Sequence, residues 1–344
     1  MIDKLDPEDT NSASEDEDQT SVPTPLTSLY DIYQDKHMQE EEIKELFYSN
    51  KLWPTSAQIP QLEKVTRDQA VSRLWYEHRK GRITASKFHD VCNRKSSTTS
   101  DTLLCSIMGY NQKDLSKVKA VAWGVDNEDN ARQLYEKVMR GSHQTFSLRL
   151  SGFLVDSSKP FLGASADGIA SCSCHGTRTV EIKCPYKHRD STALDAAAND
   201  NSFCIDTSGK LKQSHKYYSQ VQLQMHVNKV SSSDFVIFTN KVIHICTVPY
   251  NQTFISDRIG ICETFFIKHI LPELITRSIE AGLASEETQD HSIEDLSCLC
   301  SQPKSGRMIA CHNPECEIVW FHYKCVYIKR KPKGRWLCPH CKDE

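Results

Sequence analysis

Apolar positions along this chain change their period from segment to segment, and the changes mark elements. Residues 1–20 hold eight acids against one lysine and few apolar side chains. Residues 1–25 therefore read as a disordered acidic tail, which buries too little to offset chain entropy. Within 26–60 a helical spacing returns. Ile43, Leu46 and Phe47 share one face of a short amphipathic helix, and Pro54 and Pro60 bracket a linker. Residues 161–169 (FLGASADGI) read as a strand ending in a turn at Gly168. Residues 179–184 (TVEIKC) read as the next strand, broken by Pro185. Residues 213–227 read as a helix with Tyr218, Val221 and Met225 on one apolar stripe. The polar stretch 284–294 reads as a linker, and 295–344 as a separate cysteine-rich segment.

A length of 344 residues accommodates one domain of about 200 residues (61–283), one small domain and a tail. No apolar run is long enough to span a membrane, and the acidic N-terminus does not read as a secretory signal. The fifteen cysteines fit a reducing compartment better than a disulfide framework. The net charge is −3, so affinity for a polyanion has to come from a local basic groove. The stripe Arg73, Arg79, Lys80, Arg82 and Lys87 is one such groove.

The chemistry converges on two strands. Side chains alternate along a strand, so Glu181 and Lys183 share one face while Ile182 points to the other. A hairpin would bring Asp167 beside that face. Two carboxylates can then hold Mg²⁺ through oxygen ligands. The Lys183 ammonium can position an attacking water and offset charge on a phosphate. An acid, one residue and a lysine is a common tripeptide, and a surface ion pair is its plainer reading.

The surroundings of that tripeptide are specific. LWYEHRKGRITASKF, AWGVDNEDNARQLYE, GASADG, VEIKCPYKHRD and YYSQVQLQMHV occur in this order between about Leu74 and about Leu274. Their order and spacing resemble phage lambda exonuclease and the YqaJ-type viral recombinase nucleases. The resemblance implies an α/β fold, a restriction-endonuclease-like mixed sheet flanked by helices. It implies that Asp167 and Glu181 hold metal (Mg²⁺ or Mn²⁺) and that Lys183 activates water. Glu128, in W-G-x-x-x-E, would reach the metals from a helix; a solvated helix acid in the acidic run DNEDN is the alternative. Gln222 would lie beside the catalytic site. Arg79, Ser86 and Ser165 would form a pocket for a 5′-phosphate, although Thr84 or Ser86 could instead cap the following helix. The family usually places proline where this chain has Ala166, which touches turn rigidity more than chemistry. Lambda-type enzymes form a ring trimer, so a homo-trimer is one expectation for this chain.

The loop between the two catalytic strands carries Cys172, Cys174 and His175. With Cys184 or Cys204 they could bind zinc or an iron–sulfur cluster. C-x-C-H lacks a second ligand pair at a recognisable spacing, and the loop reads as an ordinary hairpin tip with free thiols.

The last segment holds Cys298, Cys300, Cys311, Cys316, His322, Cys325, Cys338 and Cys341, four ligand pairs that suit two tetrahedral Zn²⁺ sites. So small a segment has too little core to fold alone, and zinc binding would supply much of its folding free energy. Histidine in fifth place and Trp336 two residues before Cys338 resemble a PHD finger. CLC, RMIAC, WFHYKCV and KPKGRWLCPHC are similar to the inhibitor-of-growth subgroup. The resemblance implies interleaved pairs: Cys298, Cys300, His322 and Cys325 on one zinc, Cys311, Cys316, Cys338 and Cys341 on the other, with His312 and His340 outside both. Fingers of that subgroup read trimethyl-lysine on the histone H3 tail through an aromatic cage. Met308 and Trp320 match cage positions. Ser297 stands where the cage tyrosine is expected, and His312 where an acid is expected. The basic run 329–335 reads either as an import signal or as a solvated loop of the finger.

Taken together these readings predict a Mg²⁺-dependent deoxyribonuclease. It would hydrolyse phosphodiesters 5′→3′ from duplex ends in the nucleus, with a finger that recruits it to a histone tail or another peptide and with no membrane partner. A catalytically silent DNA- or chromatin-binding protein and an endonuclease of a mobile element are the rival readings.

Overall fold

The structure, a computed structural model, describes residues 21–33, 38–49, 53–95, 99–110, 117–289, 298, 307–313, 316, 318, 320–328, 332 and 334–342. The acidic run 1–20, the linker core 290–294, Ser297, Cys300 and most of the basic run 329–335 lie outside them. The chain divides into two compact units, Met1–Glu280 and Ala281–Glu344.

The first unit begins with helices α1 (Leu29–Tyr33), α2 (Glu40–Tyr48), α3 (Gln58–Val65) and α4 (Arg73–Arg79). Strand β1 (Ile83–Thr84) precedes α5 (Ala85–Cys92), α6 (Asp101–Met108) and the long α7 (Lys119–Ser142). Strands β2 (Ser147–Arg149), β3 (Leu154–Val155), β4 (Leu162–Ala164), β5 (Gly168–Cys172) and β6 (Gly176–Lys183) follow. Then come α8 (Ala193–Asn199), α9 (Lys216–Asn228), β7 (Ser232–Phe238), β8 (Ile243–Pro249), α10 (Gln252–Phe265), α11 (Leu271–Thr276) and α12 (Ser278–Gln289).

Five strands form the mixed sheet β2-β5-β6-β7-β8. All its pairs are antiparallel except β6 with β7. A parallel pair needs a crossover, and the segment containing α8 and α9 supplies it. β7 is apolar on both faces over most of its length, as a central strand covered on both sides must be. On one face Ala131, Tyr135 and Met139, one helical stripe of α7, pack on Val180, Ile182 and Val236. On the other, Tyr218, Val221 and Met225 of α9 pack on Phe235 and Ile237. The expected stripe of α9 is thus core. A smaller sheet, β1-β4-β3, lies in the same unit.

Three expectations need correcting. The segment 161–169 is not one strand: β4 and β5 belong to different sheets, and 165–167 form the break that carries Asp167. Gly168 starts β5 rather than ending a strand, because Asp167 N–H already donates to Val180 O across the hairpin at 3.0 Å. The region 26–60 is more than a helix and a linker. Leu26, Leu29, Ile43, Leu46 and Phe47 are buried in one cluster with Phe161 and Phe266, so this segment completes the core. In addition, α12 runs through Gln289, into the stretch expected to be linker.

The second unit contains the antiparallel pair β9 (Met308–Ala310) and β10 (Trp320–His322) and the short helix α13 (Pro339–Lys342). Its core is small: Ile309, Phe321 and Trp336 with Cys298, Cys311 and Cys338. Two clusters of Cys and His side chains that could each hold a zinc ion accompany this small core. No helix among the described residues is long and apolar enough to cross a membrane.

Candidate metal centre and its surroundings

Strand alternation places the reactive set. Ile182 faces α7, so Glu181 and Lys183 face the α9 side of the sheet. Asp167 sits at the break before β5, and its Oδ2 accepts from the Ile182 backbone N–H at 2.6 Å. Glu181 is 1 % exposed. Its Oε1 accepts from Lys183 Nζ, which closes the acid–lysine pair within β6.

Glu128 arrives from α7. Arg132, one turn later on that helix, bonds Glu128 Oε1 at 2.6 Å through Nη2 and reaches the Asp167 carbonyl at 3.4 Å through Nε. Arg132 also pairs with Asp129. Burial pushes the Asp167 carboxyl well above the usual carboxylate range. The charges of Glu181 and Glu128 add to that rise, and Lys183 opposes it. Burial works to discharge Lys183, but the charges of Glu181 and Asp167 outweigh it and hold the ammonium protonated. Burial, with Glu128 and Asp167 nearby, pushes the Cys184 thiol up to about 11. Three carboxylates around one lysine leave a deficit of positive charge in a site of hard oxygen donors. Hard oxygen donors of this kind suit a divalent cation, which would relieve that deficit; the three acids are not among the described groups whose ligand atoms all lie within 4.8 Å of one another.

In the second unit Cys311, Cys316, Cys338 and Cys341 converge in one group, and Cys298, His322 and Cys325 in another, with ligand atoms within 4.8 Å in each. Cys316 and Cys338 sulfurs lie 3.8 Å apart, and the backbone N–H groups of Cys338 and His322 donate to Cys311 and Cys298 sulfurs at 3.3 and 3.2 Å. The two groups alternate along the chain, and Cys300 lies outside the described residues. His312 and His340 belong to neither group. His312 Nδ1 instead accepts from the Trp336 backbone N–H at 3.1 Å. Trp320 is 40 % exposed on β10, and the register puts Met308 and Trp320 on one face of the β9–β10 pair.

Residues 74–234 match the family described as the YqaJ-like viral recombinase domain. This segment of the chain is similar to that family. Inhibitor of growth protein 1 of Mus musculus is 53% identical over 51 residues, 15% of this chain and 18% of that protein. Chromatin modification-related protein YNG2 of Candida glabrata is 47% identical over 65 residues, 19% of this chain and 24% of that protein. The chain thus spans less than a quarter of the length of these curated relatives. Among solved structures, an alkaline exonuclease from Laribacter hongkongensis is similar at 20% identity with a TM-score of 0.44, over 65% of this chain and 100% of that one.

Within the matched segment the glutamines of α9 divide differently from expectation. Gln222 does not face Glu181. Its Nε2 donates to Pro249 O and its Oε1 accepts from Asn251 N–H, both at 2.8 Å, tying the end of β8 to the start of α10. Gln220 and Gln224 face the acid instead, donating at 2.6 Å to Glu181 Oε1 and Oε2. Residues four apart share a helix face, whereas the residue midway points away. Sequence spacing in QVQLQ groups Gln220 with Gln224 and sets Gln222 apart, but it does not say which face meets the acid.

The basic groove also divides. Arg79 lies with its guanidinium 3.9 Å above the Trp75 ring, and Trp75 Nε1 donates to Ser165 Oγ at 2.8 Å. Burial brings Arg79 down to about 10, so it stays charged at neutral pH. Gln224 Nε2 also donates to Ser165 O at 3.0 Å, so one amide links the Ser165 segment to Glu181. Ser86 is exposed at the start of α5, and its hydroxyl lies 3.1 Å from Thr84 Oγ1. Neither hydroxyl caps the helix. Arg73, Arg79, Lys80 and Lys87 line one groove of about 1130 Å³ with Trp75 and Tyr76. Arg82 contributes little to its surface: it is 1 % exposed and donates to Pro160 O and His78 O.

Proposed function

We propose that this chain is a metal-dependent deoxyribonuclease that degrades duplex DNA from its ends with 5′→3′ polarity, and that its finger recruits it to chromatin or to a protein partner in the nucleus. The observation that carries the proposal is that Asp167 interacts electrostatically with Glu181, Lys183 and Glu128, and that Glu181 is linked through Gln224 and Ser165 to Trp75 of a basic groove. A bound Mg²⁺ or Mn²⁺ would supply Lewis-acid stabilisation of charge on the scissile phosphate. Asp167, Glu181 and Glu128 are the residues that would hold it. Gln220 and Gln224 orient Glu181, and Arg132 orients Glu128. Lys183, kept protonated by its neighbours, positions the attacking water and offsets charge as the phosphodiester oxygen leaves.

Arg79 is read as the group that takes the 5′-phosphate. It carries a half-buried positive charge that lines the groove, with no side-chain hydrogen bond or ion pair among the described residues. A guanidinium stacked on an indole keeps its edge available to fork onto phosphate oxygens. Ser165 and Ser86 are assigned as neutral donors to the same end group. Cys298, Cys300, His322 and Cys325 are assigned to one structural zinc, and Cys311, Cys316, Cys338 and Cys341 to the other. Digestion of end-labelled linear and closed circular duplex DNA, with Mg²⁺ and with Ca²⁺, tests the reading. Loss of linear DNA with Mg²⁺, with circles spared, is the expected result. Circles cut as fast as linear DNA would assign an endonuclease instead.

A further inference from the structure

The hairpin that carries the catalytic acids has a second cluster at its far end. β5 closes at Cys172, β6 opens at Gly176, and Cys174 and His175 occupy the tip. The fourth member is His143, just past the end of α7, rather than Cys184 or Cys204. Backbone contacts hold that approach: Ser173 N–H donates to Gln144 O and to Thr145 Oγ1, both at 3.2 Å.

The ligand atoms of the four converge. His143 Nδ1 is 3.2 Å from Cys174 Sγ, 3.2 Å from His175 Nδ1 and 3.7 Å from Cys172 Sγ. Cys172 Sγ is 3.9 Å from His175 Nδ1. All four atoms lie within 4.8 Å of one another. A tetrahedral zinc with Zn–S of about 2.3 Å and Zn–N of about 2.0 Å places its ligand atoms about 3.3–3.8 Å apart. The observed edges bracket those values. Both histidines also turn the same ring nitrogen inward. A single N–H···N bond can satisfy that pair, yet two sulfurs are crowded against the same nitrogens, as ligands around one centre are.

We propose that His143, Cys172, Cys174 and His175 form a third, structural zinc site, separate from the finger and from the catalytic acids. Two thiolates and two neutral imidazoles balance the dication, and each thiol releases its proton to solvent on binding. The Arg178 guanidinium supplies an outer contact. It donates to Cys172 Sγ at 3.2 Å and is itself held by buried Asp234. Four protein ligands close the coordination sphere, which makes the site structural rather than hydrolytic.

Its consequence lies in what it joins. α7 carries Glu128 about four helical turns from His143, about 22 Å along the axis. β5 and β6 flank Asp167, Glu181 and Lys183 at the opposite end of the hairpin. The zinc would pin the helix to the hairpin at the end remote from the chemistry, fixing the relative position of elements that supply all four catalytic groups.

The test uses the full chain, expressed without added chelator, beside the variant Cys174→Ser/His175→Asn. Both altered residues are exposed at the loop tip, and circular dichroism checks that the variant folds. Elemental analysis is expected to show one zinc equivalent fewer in the variant, whatever the finger contains. Cobalt replacement is expected to remove from the variant the d–d and thiolate charge-transfer bands of an S₂N₂ site, leaving the sulfur-rich bands of the finger. Site-resolved alkylation gives an independent reading: Cys174 is expected to resist iodoacetamide until a chelator is added. Equal zinc in the two proteins, immediate alkylation of Cys174 in the zinc-loaded chain, or iron in place of zinc would each overturn the proposal.

Discussion

The side-chain NH₂ of Gln224 donates to Glu181 Oε2 at 2.6 Å and to Ser165 O at 3.0 Å. A single fully buried amide therefore fixes Glu181 of β6 and the segment that leads from β4 into Asp167. Gln224→Ala is expected to leave a Glu181 oxygen without its donor and to weaken divalent-metal affinity by about 10–100-fold, as loss of an outer partner does. Gln222→Ala should leave metal affinity unchanged and cost about 1–3 kcal/mol of stability, because Asn251 N–H loses its acceptor. Titration calorimetry with Mn²⁺ and urea unfolding of both variants separate the two effects. Equal loss of metal affinity in both would return Gln222 to the site.

Lys183 pairs with Glu181, and its ammonium is the proposed partner of the attacking water. Lys183→Ala is expected to lower the single-turnover rate by about 10²–10³-fold or more while DNA binding in Ca²⁺ stays nearly intact. Retained cutting in a correctly folded variant would remove Lys183 from the chemistry.

Much of this site is legible in the sequence because strands alternate and the acid–lysine pair is local. Glu181, Lys183 and the outward turn of Ile182 follow from period two alone. The roles of Gln220 and Gln224 are hidden because QVQLQ offers three amides, and the choice depends on how α9 is rotated against the sheet. His143 is hidden for a different reason: it joins the hairpin cysteines only because α7 ends there, and no spacing rule connects a helix end to a loop some thirty residues later. The burial of Arg82 is likewise tertiary, since nothing local separates it from Arg79.

Arg79 should set the preference for the DNA end. Duplexes with a 5′-phosphate are expected to be digested faster than those with a 5′-hydroxyl. Arg79→Ala should erase the difference by removing a charge-assisted contact worth about 1.5–3 kcal/mol. Rates on the two end groups, measured with both proteins, decide it. Indifference of the unaltered enzyme to the end group would remove the pocket and leave the nuclease.

His78 makes the domain sensitive to acid. Its ring is fully buried, and neither nitrogen has a hydrogen-bond partner among the described residues. Burial, with Arg82 nearby, brings it down to about 4, below an unfolded value near 6.5. Between those values the unfolded chain binds more protons, so stability present above about pH 6.5 is lost as pH falls toward 4, by up to roughly 3 kcal/mol. Urea unfolding from pH 7 to pH 4.5 should show this slope, and His78→Leu should flatten it. An identical slope in the variant would place the acid lability elsewhere.

The finger should fold on two zinc ions yet bind trimethyl-lysine poorly. Chelation is expected to unfold residues after about 294 and leave the nuclease domain folded, because metal replaces core in so small a unit. A methyl-lysine cage exchanges water around the quaternary ammonium for aromatic faces, each worth about 0.5–2 kcal/mol. Trp320 supplies one such face, exposed on β10, and Met308 supplies a soft wall on the same side of the pair. Ser297 brings no ring to the position where a tyrosine would close the cage. His312 is turned to the Trp336 backbone and offers no fixed negative charge to an arginine of the tail. Binding to a trimethylated histone H3 peptide is therefore expected to be weak and nearly independent of methylation, with another peptide preferred. Calorimetric titration of the full chain with methylated and unmethylated H3 peptides measures it. Low-micromolar affinity that requires methylation and vanishes in Trp320→Ala would show that one indole and a thioether suffice to form the cage.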